Sequence, residues 1–265
     1  MDSDILKKIA NIASERFENI GEYKDLLYYN ELEDGTDMDL LDSSIYHKIA
    51  EAVGASCVFH GKTKLVFGFA DMPEYVFKIP MYGVKYYESL YDDENDDIDF
   101  IYVEQENYAC ADEFIDELTD DAIDIYEWSN VSVSENDYCA AEAAIYSIAC
   151  EYGIEKFFAG TWFVTDVDGV SIYVSERIPD KYRKTATVPN GSYERIKNDD
   201  NFKELFELQL ECDVVYQMIS KYTYSAAIKL ADFLIANAIG DLHDDNIGTR
   251  ANGDVVIVDY SGFRD

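Results

Sequence analysis

IGDLHDDNIGTRANGDVVIVDYSGF, residues 239–263, carries the densest chemistry in the chain. Asp241 and Asn246 stand five residues apart, and Asp259 follows thirteen residues after Asn246. Apolar runs flank them, FLIANAI at 233–239 and VVIVDY at 255–260. An aspartate that emerges from a β-branched strand is held stiffly, which suits a hard cation bridging two phosphates. The stretch is either a polar turn between a helix and a hairpin, or a site for a metal and phosphates.

Composition narrows the choice. The chain has 265 residues, 48% of them apolar and 14% aromatic, enough for a real core and unlike a disordered polymer. Asp and Glu number 55 against 21 Lys and Arg, for a net charge of −34. Such a surface repels nucleic-acid phosphates and anionic membranes and attracts basic proteins. Direct nucleic-acid binding is therefore not expected as the main function. Cys57, Cys110, Cys139, Cys150 and Cys212 form no CxxC pair and read as reduced thiols of a cytoplasmic protein. MDSDILKKIANIA lacks the basic start and apolar core of a signal peptide. No run approaches the roughly 18 apolar residues that cross a bilayer, so the expectation is a soluble protein without a membrane partner.

Periodicity places the elements. Ile5, Ile9, Ile12 and Ala13 predict an amphipathic helix over 3–17, and Ile45, Ile49 and Val53 a second over 43–53, stopped by Gly54. ASCVFH, KLVFGFA and EYVFKIP then read as three strands of an antiparallel meander. Residues 86–155 hold 22 Asp and Glu and not one Lys or Arg. Phe114, Ile115, Leu118 and Ile125 keep helical spacing there, so an acidic but folded insertion is expected at about 86–136. YCAAEAAIYSIACEY predicts a helix over 138–152, and GTWFVTDV and VSIYVSERI two strands around the turn DVDG. A polar loop over 181–200, helices at about 201–220 and 225–238, and a terminal hairpin complete the order.

This order, with VFKIP in the third strand and GDLHDDN…VDYSG near the end, resembles the protein kinase-like fold. More narrowly, it looks like the atypical kinase-like proteins of bacteriophages and bacteria, and shares the GDLH..N style of the aminoglycoside phosphotransferase branch. The resemblance implies an α+β, two-lobed fold with a reduced C-terminal lobe and an acidic insertion. Its expected parts are an N-terminal helical extension at 1–53, an N-lobe at 54–178 and a C-lobe at 179–265. ATP and Mg²⁺ are the implied cofactors. Asp241 would accept the proton of the attacking hydroxyl, and Asn246 and Asp259 would ligate Mg²⁺. Lys78 would hold the α- and β-phosphates and Glu142 would pair with it. Glu176 to Ile178 would offer backbone groups to adenine, and Gly61 and Lys62 would cover the phosphates.

The pattern also departs from the family. FHGKTKLVF holds a single glycine, Gly61, where the family has a glycine-rich loop. Ile239 stands where a histidine is usual. Six residues follow Asp259, so no activation segment and no peptide-binding helical subdomain are expected. Three functions stay open: a phosphotransferase acting on a protein hydroxyl, a pseudokinase that presents a surface, and an acidic mimic of nucleic acid that occupies a basic host protein. The location is the cytoplasm, that of the host if the chain is phage-encoded.

Overall fold

The computed structural model of the chain describes residues 1–32, 37–38, 43–60, 64–87, 130–134, 137–181, 191–237, 239–240 and 242–261. Asp2 opens helix α1 (Ser3–Arg16) by accepting the Asp4 N–H on its carboxylate at 2.8 Å. A 3-10 helix (Ile20–Leu27), strands β1 (Tyr28–Leu32) and β2 (Asp37–Met38), and helix α2 (Ser43–Ala52) follow. Next come β3 (Cys57–His60), β4 (Lys64–Gly68), β5 (Tyr75–Pro80), β6 (Tyr82–Tyr87) and β7 (Asn130–Ser134). Helix α3 (Tyr138–Tyr152) precedes β8 (Thr161–Val167), β9 (Val170–Glu176) and β10 (Asp180–Lys181). The rest is α4 (Ser192–Lys197), α5 (Lys203–Glu207), α6 (Cys212–Lys221), α7 (Tyr224–Ala236), β11 (Ile247–Thr249) and β12 (Val255–Ile257).

The chain is α+β. Strands β3, β4, β5, β9 and β8 hydrogen-bond in that order in an antiparallel sheet, so the expected meander and the later hairpin form. Asp168 and Gly169 sit at φ 53° and 79° between β8 and β9, the paired left-handed geometry that matches strand twist in a two-residue hairpin turn. Two compact units make up the chain: Met1–Ala70 with Lys78–Asp137 and Val164–Ile172, and Asp71–Phe77 with Tyr138–Phe163 and Tyr173–Asp265.

In the first unit, the apolar stripe of α1 buries Ile9, Ala13 and Phe17. The Phe17 ring meets Phe67 and Phe69 edge-on at 5.7 and 6.2 Å. A second sheet, ordered β2-β1-β6-β7, was not expected from the sequence. Its β1–β6 pairing is parallel and links residues some fifty positions apart, for which no local pattern exists. In it Tyr87 pairs with Asn130, so the two strands that flank residues 88–129 are neighbours. The helical spacing expected at Phe114–Ile125 lies outside the described residues.

In the second unit, α3 spans the predicted residues and ends at Gly153, whose φ of 69° takes the left-handed cap. The helix expected at about 201–220 is instead two, α5 and α6. Gln209 adopts φ 69° between them, and Leu208 turns its carbonyl to the Leu242 N–H at 3.0 Å. The loop expected at 181–200 contains the short α4. Phe158, Leu205, Val214, Leu230, Phe233 and Ile257 are among the buried apolar side chains of this core. Among the described residues, no helix is long and apolar enough to cross a membrane.

Candidate functional site

The segment between α7 and β11 is fixed by backbone bonds at each step. Ile239 N–H donates to Leu234 O at 2.9 Å, and Leu242 N–H to Leu208 O. A 3-10 turn, Asp244–Asn246, follows, its start capped where His243 Nδ1 accepts the Asp245 N–H at 3.2 Å. Antiparallel β11 and β12 then pair Ile247 with Ile257. One rung further, Val258 N–H donates to Asn246 O at 2.9 Å. Asn246 and Asp259 therefore sit at one end of a two-stranded ladder, a residue apart across it. The Asn246 amide lies 3.4 Å from His243 Nε2, and Ser261 Oγ donates to Asp259 Oδ1 at 3.1 Å. Both candidate ligands are half-buried. Asp241, the expected proton acceptor, lies outside the described residues, as do Gly61 and Lys62.

Glu142 is fully buried on α3. A carboxylate there needs hydrogen-bond donors, and Thr161 at the start of β8 supplies one at 3.5 Å. Thr161 Oγ1 is also 2.8 Å from Ser175 Oγ and 3.1 Å from the Tyr260 phenol. Tyr260, the residue after Asp259, donates to Ala159 O at 2.7 Å and packs edge-on against Phe158. Burial first, and the Glu142 charge second, push the Tyr260 phenol well above its ordinary pKa, so it remains a neutral donor. Helix α3, strands β8 and β9 and the end of the β11–β12 hairpin thus share one buried polar network.

Glu176, at the end of β9, uses its carboxylate in a bidentate pair with Arg250, which follows β11. Arg250 Nε donates to Oε1 and Nη2 to Oε2, each at 2.7 Å. The same guanidinium donates to Lys156 O and Phe158 O at 2.9 Å. The hydrogen bond to Glu176, against the opposing effect of burial, raises the guanidinium pKa further and keeps it charged. The backbone N–H of Glu176 donates to Gly160 O and that of Arg177 to Glu74 O. Of the three amides expected to face adenine, the one at Ile178 donates to no other described residue.

Lys78 belongs to the first unit, in the buried half of β5, with 6% of its surface exposed. A lysine so placed is not a surface solubiliser, since an ammonium out of water needs compensating charge or acceptors.

No protein family, curated protein or solved structure matches the chain. Among the described residues, no group of three or more His, Cys, Asp and Glu side chains is arranged to hold a metal. Mg²⁺ does not require one, because it takes one or two protein oxygens together with waters and substrate phosphates. Asp259 and Asn246 carry a carboxylate and an amide oxygen, donors of that hard type. Thr161, Ser175, Arg250 and Tyr260 were missed in the sequence. The first two look like ordinary strand residues, and Arg250 like a turn cation in TRANGD. For Tyr260 the signal was present, an aromatic directly after a fixed aspartate, but nothing local identifies its hydroxyl partners.

Proposed function

We propose that the chain is an ATP- and Mg²⁺-dependent phosphotransferase with a two-lobed, protein kinase-like fold, acting on a protein hydroxyl. The observation that carries this is that Asn246, five residues after Asp241 in the chain, and Asp259 lie on adjoining rungs at the end of the β11–β12 ladder. Asn246 and Asp259 would hold Mg²⁺, which would supply neutralisation of phosphate charge. Asp241 accepts the proton of the attacking hydroxyl. Lys78 binds phosphate, and the backbone at Glu176–Ile178 receives the adenine. Positioning of this kind is most of what phosphoryl transfer asks of a protein.

The client is a basic protein. The chain between Tyr87 and Asn130 carries many carboxylates and no Lys or Arg, and both of its ends leave neighbouring strands. That anchoring also favours a second reading, in which the chain is a pseudokinase or a nucleic-acid mimic that occupies a basic host protein without turnover.

The test is incubation of purified protein with γ-labelled ATP, Mg²⁺ and a cell lysate. Label enters a protein with wild type and not with Asp241→Ala. Equal labelling by both rejects Asp241 as the base, and labelling by neither leaves the non-catalytic reading.

A further inference from the structure

Tyr260 has no apolar reason to be a tyrosine. Its ring lies wholly inside the second unit against Phe158, where phenylalanine would pack equally well. A buried hydroxyl is unfavourable unless it is bonded, and this one donates its single proton to Ala159 O at 2.7 Å, with Thr161 Oγ1 3.1 Å away. Thr161 in turn reaches Glu142 on α3 and Ser175 on β9, and all four of these side chains are at most 2% exposed. Tyr260 is buried, and Asp259, its neighbour in the chain, is only partly so. Pinning the phenol therefore restrains the backbone from which the Asp259 carboxylate projects. Ser261 Oγ donates to the same carboxylate at 3.1 Å.

We propose that Tyr260 is a positioning residue for the metal: through Thr161, its hydroxyl sets Asp259 in register with Glu142. The proposal rests on the Mg-nucleotide reading above. Groups that orient a metal ligand without touching the metal commonly change affinity by about 10- to 100-fold when removed. Loss of the phenol oxygen removes such a group while keeping the ring.

The experiment compares full-length wild type, Tyr260→Phe, Thr161→Val and Thr161→Ser. For each, ADP binding is measured calorimetrically across a Mg²⁺ titration and again in excess EDTA. Tyr260→Phe raises the half-saturating Mg²⁺ concentration by about tenfold or more and leaves the metal-free ADP affinity unchanged. Thr161→Val shifts it in the same direction, and Thr161→Ser, which keeps the hydroxyl, restores it. A merely structural role lowers the melting temperature and weakens ADP with and without metal alike; an unmoved Mg²⁺ midpoint in folded Tyr260→Phe overturns the proposal. If Tyr260→Phe does not fold, identical midpoints for Thr161→Val and Thr161→Ser overturn it. Wild type whose ADP binding ignores Mg²⁺ rejects the nucleotide reading and this inference together. A Mg²⁺-dependent wild type beside unchanged variants rejects this inference alone.

Discussion

Arg250 shows how much one side chain organises. It ties the end of β9, the 155–158 segment and the turn after β11 through bonds to Glu176, Lys156 and Phe158. Breaking a fully buried pair costs about 3–5 kcal/mol. This pair is partly open, with side-chain exposures of 20% and 32%, so Arg250→Ala is expected to destabilise by about 2 kcal/mol in urea unfolding. Arg250→Lys recovers little, because an ammonium cannot reproduce the fork. Full recovery by lysine would show that charge alone matters there. The comparison also marks the limit of the sequence at this scale. The nearness of Asn246 and Asp259 in the fold was legible because one local hairpin joins them. Arg250 and Glu176, 74 residues apart in sequence, are brought together only by the assembled sheet and helices.

Among the elements, those with a period and a stop signal were legible. Helices α1, α2 and α3, the β3–β4–β5 meander and the β8–β9 hairpin all follow from alternation, apolar stripes and glycine caps. The gap between α5 and α6 was not, since nothing in FELQLECD forbids a helix and the left-handed Gln209 is imposed by docking of the chain at Leu242. The β1–β6 pairing was invisible for the same reason of distance. A clean test of cap energetics is Gly153→Ala. A built Cβ meets nothing within 4 Å there, yet φ is +69°, so the penalty is conformational alone. It is expected at about 1 kcal/mol, read as a lower melting temperature. An unchanged melting temperature would mean that α3 does not need this cap.

For the whole molecule, charge dominates. With a net charge of −34 and a pI near 4.1, self-repulsion opposes the folded state at neutral pH and weakens as carboxylates protonate or salt screens them. Local carboxylates act in the opposite sense. Burial pushes Asp254 up, but hydrogen bonds from Lys221, Asn252 and Tyr222 outweigh it and hold it below the ordinary value. The Tyr224 phenol does the same for Asp199. A depressed folded pKa gives stability that is present above the unfolded value of about 3.9 and is lost as pH falls through the folded one. The melting temperature is therefore expected to rise from pH 7 to about 5.5, and to rise with salt at pH 7, then to fall steeply below about pH 4. A monotonic decline from pH 7 downward, or insensitivity to salt, would mean that repulsion is not the dominant electrostatic effect.

Mg²⁺-dependent nucleotide binding is the claim on which the functional account depends, and thermal unfolding reads it directly. At a hundredfold excess of ligand over its dissociation constant, Mg-ATP stabilises the native chain by about 2.7 kcal/mol. The account predicts a clear upward shift of the wild-type melting curve with Mg-ATP, most of it lost in Asn246→Ala and Asp259→Ala and with ATP in EDTA. A wild-type curve unmoved by saturating Mg-ATP would contradict it.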